Sequence, residues 1–255
     1  MPRLGLFQRL PEVARLVYLS PVTNPISYEK TILCLAASRR PGGRCVAGKE
    51  YANGAAAGWV RPVNAQNHAM SESDLLYENG TSADVLDIVT IPMMAPMPLG
   101  HQQENHLINP ECHWELNDKA TWQQIVAATD AVVGTLWSNN DSSYHGLNDK
   151  VAEATANTFQ NSLCLISPVN LRLIVGQESQ YGGGSRRRVR ASFNLNGSTY
   201  NFVVTDPWIE TKYFARPDGT YSIPESRLCI SLPEILAGSA TKLVATVITP
   251  ARIQE

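Results

Sequence analysis

No two of the five cysteines (Cys34, Cys45, Cys112, Cys164 and Cys229) stand in a C-x-x-C pair. That excludes the zinc-ribbon and dithiol-redox motifs such a pair would announce. The chain has no apolar run of the about 20 residues needed for a membrane-spanning helix. It also has no H-E-x-x-H and no G-x-S-x-G, and neither Gly42-Gly43 nor Gly182–Gly184 leads into the Lys-Ser/Thr of a phosphate loop. His101, His106, Cys112 and His113 have no standard metal spacing. No catalytic residue, metal or cofactor is therefore expected, and enzymatic activity is the less favoured class. Charge of one sign is missing too: 21 Lys and Arg against 23 Asp and Glu give a net charge of −2. A polyanion can be attracted only by a local patch, because there is no global field to draw it in.

What is present is mostly strand-like. Cys34, Cys164 and Cys229 lie inside short apolar runs, where reduced thiols serve as small packing residues, so a cytoplasmic protein is expected. The apolar positions of the first twenty residues are interrupted by Arg3, Arg9, Glu12 and Arg15. This argues against a signal peptide. Leu10, Val13, Leu16 and Val17 fall on one face of a short amphipathic helix beginning at Pro11, expected to dock on the body of the protein rather than on a membrane.

Further along, Thr31–Ala36, Arg44–Lys49, Gly58–Val63 and Val85–Ile91 read as strands, the last stopped by Pro92, Pro96 and Pro98. Thr121 and Gln124 form a capping box, and Trp122, Ile125, Val126, Val133, Leu136 and Trp137 then recur at helical spacing. This predicts a helix over 122–137, with a weaker one over 148–159. In 188–195, Val189, Ala191, Phe193 and Leu195 alternate with Arg188, Arg190, Ser192 and Asn194, the period of a half-buried strand. Asn196-Gly197 then turns a hairpin into Thr199–Thr205. Leu228–Leu232 and Leu243–Thr249 complete the set.

A Leu-Cys-Leu core occurs twice, at Leu33–Leu35 and Leu163–Leu165, each followed by strand-like segments and an arginine-bearing glycine turn. The fold class is therefore mainly β with α additions: two tandem small OB-like β-barrels joined by a helical segment. The expected division is an N-terminal helical extension over 1–28, a first barrel over 29–118, a helical connector over 119–160 and a second barrel over 161–255.

Candidate binding residues cluster at the two turns. Arg186, Arg187, Arg188 and Arg190 put four guanidinium groups in five positions. Since Val189 must face the core, Arg188 and Arg190 share the solvent face, suited to clamping phosphate. The plainer reading is a solvated strand face. Arg39, Arg40, Arg44 and Lys49 surround the turn at Pro41–Gly43 in the first half. Trp59, Tyr181 and Trp208 supply aromatic rings for base stacking, or core packing instead. Arg61 shares a strand face with Trp59 and is expected at a barrel rim or paired with an acid such as Asp87. Gln103, Glu104 and Asn105, with Asp206 and Trp208, form a candidate ligand pocket, while Pro207 suggests a structural turn.

Lys30–Ser38 through Gly43–Gly48, then Trp59–Val63, Leu86-Asp-Ile88, Gln103–Asn105, Thr205-Asp-Pro207, Cys229–Leu232 and Lys242–Ala245 occur in an order that resembles the bacterial dual OB-containing domain family. The resemblance spans about residues 30 to 250 and lies in the succession of these motifs. It implies tandem OB folds and a nucleic-acid role connected with defence against foreign DNA or RNA. It supplies no catalytic residue. Three functions follow as expectations: a non-catalytic module binding single-stranded or structured DNA or RNA, a protein-docking adaptor or regulatory subunit, and a small-ligand sensor or enzyme with a site between the barrels. A nucleic-acid partner is expected first and a protein partner second; no membrane partner is expected.

Overall fold

The computed structural model describes residues 27–180 and 182–254. The expected N-terminal helix and Tyr181 lie outside the described residues. The first six strands are β1 (Tyr28–Arg40), β2 (Gly43–Ala52), β3 (Ala55–Val63), β4 (Asp87–Pro96), β5 (Asn105–Ile108) and β6 (Glu115–Lys119). They pair in the order β1-β2-β3-β5-β4, and β4 closes back on β1. The β3–β5 ladder is parallel and the other ladders of the ring are antiparallel. A single long strand serves two neighbours: Tyr28–Leu33 pairs with β4 and Ile32–Arg40 with β2. The switch happens at the irregularity between Cys34 and Ala36. There Gly48 passes so close that a Cβ would sit 2.3 Å from the Leu33 carbonyl oxygen, so only glycine fits.

The connector holds α1 (Trp122–Ala127), β7 (Lys150–Ala152) and α2 (Glu153–Ala156). Both helices are shorter than their periodicity predicts. The Thr121–Gln124 capping box forms, but the helix stops at Ala127 because the carbonyl of Ala128 is taken by the Lys49 ammonium at 2.7 Å. Asp130, two residues on, is drawn out to Lys49, the Trp59 indole and the backbone N–H of Leu165. Val133, one of the periodic positions, is 94% exposed.

The second half comprises β8 (Leu163–Ile166), β9 (Val169–Ser179), β10 (Ser185–Leu195), β11 (Ser198–Val204), α3 (Pro207–Phe214), β12 (Gly219–Ser222), β13 (Arg227–Ser231), β14 (Ser239–Thr241), β15 (Leu243–Ile248) and α4 (Pro250–Ile253). Its order, β9-β10-β11-β15-β13-β8, repeats that of the first barrel, with a parallel β11–β15 ladder in the place of β3–β5. Here the first strand is cut in two at Ser167-Pro168, since proline has no N–H for the ladder. β8 pairs with β13 and β9 with β10. Both Leu-Cys-Leu segments lie on the first strand of their barrel: Leu163–Leu165 runs against β13, while in the first barrel Leu33 ends the pairing with β4 and Cys34 already pairs with β2. Strand β12 flanks β9, and β14 pairs with β7 of the connector.

Two further expectations are corrected and a third is made specific. Strand β4 continues through Pro92, which pairs with Glu29, and ends at Pro96. Pro207 is the first residue of α3, where its missing N–H costs nothing, and Asp206 is the N-cap, accepting from the Trp208 N–H. Arg61 is paired with an acid, but that acid is Glu104 rather than Asp87, which is held instead by the Tyr77 hydroxyl at 2.7 Å and by Lys119.

The barrels share one core. Leu163, Leu165, Cys229, Ala245 and Ile248 of the second pack in the same cluster as Ile32, Leu35, Val89 and Ile91 of the first. Such fully buried aliphatic side chains contribute about 1.5–3 kcal/mol each, so the barrels hold one another in place. No helix among the described residues is long and apolar enough to cross a membrane.

Candidate nucleic-acid interface

Strand β10 sets the site by alternation. Val189 and Ala191 are fully buried, so Arg186, Arg188 and Arg190 project from the outer face, opposite Glu178, Gly176 and Ile174 of β9. Gly176 has no side chain to crowd Arg188. The turn between β1 and β2 approaches the same place from the first barrel. The Arg39 N–H donates to the Thr205 carbonyl at 2.9 Å, and its guanidinium donates to Glu210 of α3 at 2.6 Å.

Arg39 contacts this carboxylate, and the fields of Arg186 and Arg188 reach it as well. Burial pushes the Glu210 carboxyl up from its ordinary value, and the three arginines pull against that rise without cancelling it. Arg188 shows the converse. Burial chiefly, then the fields of Arg186, Arg39 and Arg190, lower its pKa, with only Glu178 opposing. Glu178 is committed to Arg190, which donates to it from Nε at 2.5 Å and from Nη2 at 3.3 Å. Asp149 also lies 4.0 Å from Arg190, so the four guanidinium groups face three carboxylates. Among the described residues Arg186 and Arg188 have no ion-pair partner of their own, and their guanidinium groups make no hydrogen bond. A half-buried, unpaired guanidinium beside like charges is a place where an anion relieves an existing cost.

The other arginine of the run has a different task. Arg187 turns to the opposite side of the strand and donates to the carbonyls of Phe214 and Arg216 at 2.7 and 2.5 Å and to Asp218 at 2.8 Å. It caps the C-terminus of α3.

The first-barrel candidates divide in the same way. Only Arg39 joins the site. Arg40 is paired with Glu234 at 3.4 Å and Arg44 with Glu72 at 3.0 Å. Lys49 is buried on Ala128 and Asp130, and lies over the Trp59 ring, whose indole N–H also goes to Asp130. Arg61 is 2% exposed and bonds Ser162 at 2.8 Å and Asn105 at 3.3 Å, with Glu104 at 3.2 Å. It has no surface on which to meet a phosphate.

The candidate ligand pocket falls into separate places. Glu104 and Asn105 are buried with Arg61 and Ser162, while Gln103 is exposed and bonds the Gly100 carbonyl. Asp206 and Trp208 line a cleft of about 460 Å³ with Arg44, Lys212 and Arg252. There Asp206 accepts from Arg252 at 2.6 Å, and Lys212 and Arg252 lie over the Trp208 ring.

One part of the interface is passed over in the sequence reading. Arg172 is exposed on β9, opposite Ser192 and Ser222, and extends the basic face. Its alternation with the buried Leu171 and Leu173 was a readable signal. Glu210 is visible in the sequence as one of two carboxylates four apart, with Asp206, but its pairing with Arg39 is not, because the two are 171 positions apart.

The family model for the dual OB-containing domain matches residues 30–247. Comparison with curated proteins and with solved structures returns no match.

Proposed function

Since the chain belongs to the dual OB-containing domain family, we propose that it is a non-catalytic nucleic-acid-binding module whose contact face is the outer surface of β9 and β10. OB barrels hold nucleic-acid strands through loops and one sheet face, and the family makes a nucleic-acid ligand the first expectation. The observation that carries the reading is the pair of unpaired guanidinium groups, Arg186 and Arg188, which with Arg39 of the other barrel act on the carboxylate of Glu210. Phosphates of a single-stranded or structured DNA or RNA segment supply the missing negative charge. Arg172 continues the track along β9.

The test is a panel of labelled single- and double-stranded DNA and RNA measured across salt concentrations. Binding falls with rising salt, and replacing both Arg186 and Arg188 by Glu weakens it and flattens the log–log salt slope by about one unit per arginine. A wild-type chain with no salt-sensitive binding to any of the four ligands would overturn the reading in favour of a protein-docking adaptor. A part in bacterial defence against foreign nucleic acid belongs to the same proposal. It requires that cells carrying the double Glu variant lose resistance to phage relative to cells carrying the wild type.

A further inference from the structure

Tyr144 is the exposed aromatic residue of the described chain. Its ring is 91% exposed, whereas every other described tyrosine, tryptophan and phenylalanine is buried or half-buried. An apolar ring held in water on a loose loop would need no explanation, but this loop is fixed. The carboxylate of buried Asp149 accepts from the Ser143 N–H at 2.6 Å and from its hydroxyl at 2.5 Å. Gly146 curls so tightly over that carboxylate that a Cβ would lie 1.8 Å from an Asp149 oxygen. Leu147 exchanges two backbone hydrogen bonds with Asn201 of β11, and the Asn201 amide donates to the His145 carbonyl at 3.1 Å.

The loop is anchored beside the arginine face. The His145 Nε2–H donates to the Ser179 carbonyl at 3.1 Å, one residue from Glu178, which holds Arg190. Asp149 itself stands 4.0 Å from Arg190. The Tyr144 ring meets the His145 ring edge-on, with centroids 4.7 Å apart and planes at 79°. Its position is therefore braced by a neighbour that is itself anchored.

We infer that Tyr144, braced by His145, is a stacking platform for one unpaired base of the nucleic acid whose phosphates lie on Arg186 and Arg188. This rests on the nucleic-acid reading above. A pre-positioned ring takes a base with little loss of side-chain freedom, and stacking is indifferent to base identity because every base has a π-face. Duplex bases are already stacked on one another, so the platform selects single strands or unpaired loops.

The test compares Tyr144→Ala and Tyr144→Phe with the wild type on a labelled single-stranded oligonucleotide and on the same backbone made abasic. Tyr144→Ala is expected to weaken binding to the ordinary strand by on the order of tenfold. Tyr144→Phe, which keeps the ring, binds as the wild type does. The Ala effect disappears on the abasic strand, and the salt slope is unchanged because no phosphate contact has been removed. If the wild type binds with salt sensitivity and Tyr144→Ala binds equally well, or loses equally on both strands, the platform is overturned while the arginine face stands. If the wild type binds no nucleic acid, both fall.

Discussion

Arg39 of the first barrel donates a 2.6 Å hydrogen bond to Glu210 of the second, a carboxylate that also lies in the fields of Arg186 and Arg188. The carboxylate both ties the barrels together and restrains the positive charge of the face. Glu210→Gln keeps an acceptor for Arg39 and removes one negative charge, so oligonucleotide binding should tighten by about two- to tenfold. Burial raises the Glu210 pKa above 4.5, so protons bind more readily in the folded protein. As pH falls from neutrality through that raised pKa, wild-type affinity should approach that of the Gln variant. Binding titrations of the two proteins at several pH values check this; a constant ratio of affinities would refute it.

Adjacent arginines should give opposite phenotypes. Arg187 holds the carbonyls at the end of α3, so Arg187→Ala should cost about 1–2 kcal/mol of stability and leave nucleic-acid affinity near wild type. Arg188 is unpaired and strained by burial and like charge. Arg188→Ala should leave the protein as stable or slightly more so, and weaken binding. Urea unfolding and oligonucleotide titration of both variants separate the roles; the two arginines behaving alike would contradict the assignment.

That division marks how far the sequence could be read. The alternation in 188–195 and the Asn196-Gly197 turn locate the hairpin, and both turn residues have positive φ, 49° and 79°, as a tight hairpin requires. Strand period and turn chemistry are local, so they are written locally. The helix is shorter than its periodicity predicts because the apolar spacing to Trp137 says nothing of Lys49, which takes the Ala128 carbonyl from across the fold. The basic clusters were visible as composition, yet which arginine is free depends on acids distant in sequence. Glu234 takes Arg40, Glu104 accompanies Arg61 and Glu210 takes Arg39.

The buried group around Arg61 gives a stability prediction. Arg61, Glu104, Asn105 and Ser162 join β3 and β5 to the segment before β8, and one nitrogen and one oxygen of the pair, Arg61 Nε and Glu104 Oε2, have no partner among the described residues. Arg61→Met alone leaves the Glu104 carboxylate buried without its cation and should cost about 3–5 kcal/mol. Combining Arg61→Met with Glu104→Leu should recover most of that loss, because a matched apolar pair carries no desolvation penalty. Chemical denaturation of the wild type, the single and the double variant is the measurement. A double variant less stable than the single would show that the pair has net worth beyond its own desolvation.

Lys242 supplies a prediction in pH. Its side chain is fully buried and its ammonium donates to the carbonyls of Leu136 and Ser138 at 3.0 and 2.6 Å. Burial lowers its pKa from 10.5 to about 8, with Asp149 opposing. Between those values the unfolded chain binds more protons than the folded one, so stability rises with pH. Below about pH 8 the lysine is charged in both states and the folded protein bears the whole cost of burying the charge. Lys242→Met has no such titration. The stability of the wild type relative to the Met variant should therefore climb as pH goes from 8 toward 10.5, by up to about 3 kcal/mol. Thermal or urea midpoints of both proteins across that range isolate the lysine from the other groups that titrate there. A difference that stays flat, or falls, would mean that the two carbonyls and Asp149 hold the ammonium charged as firmly as water does.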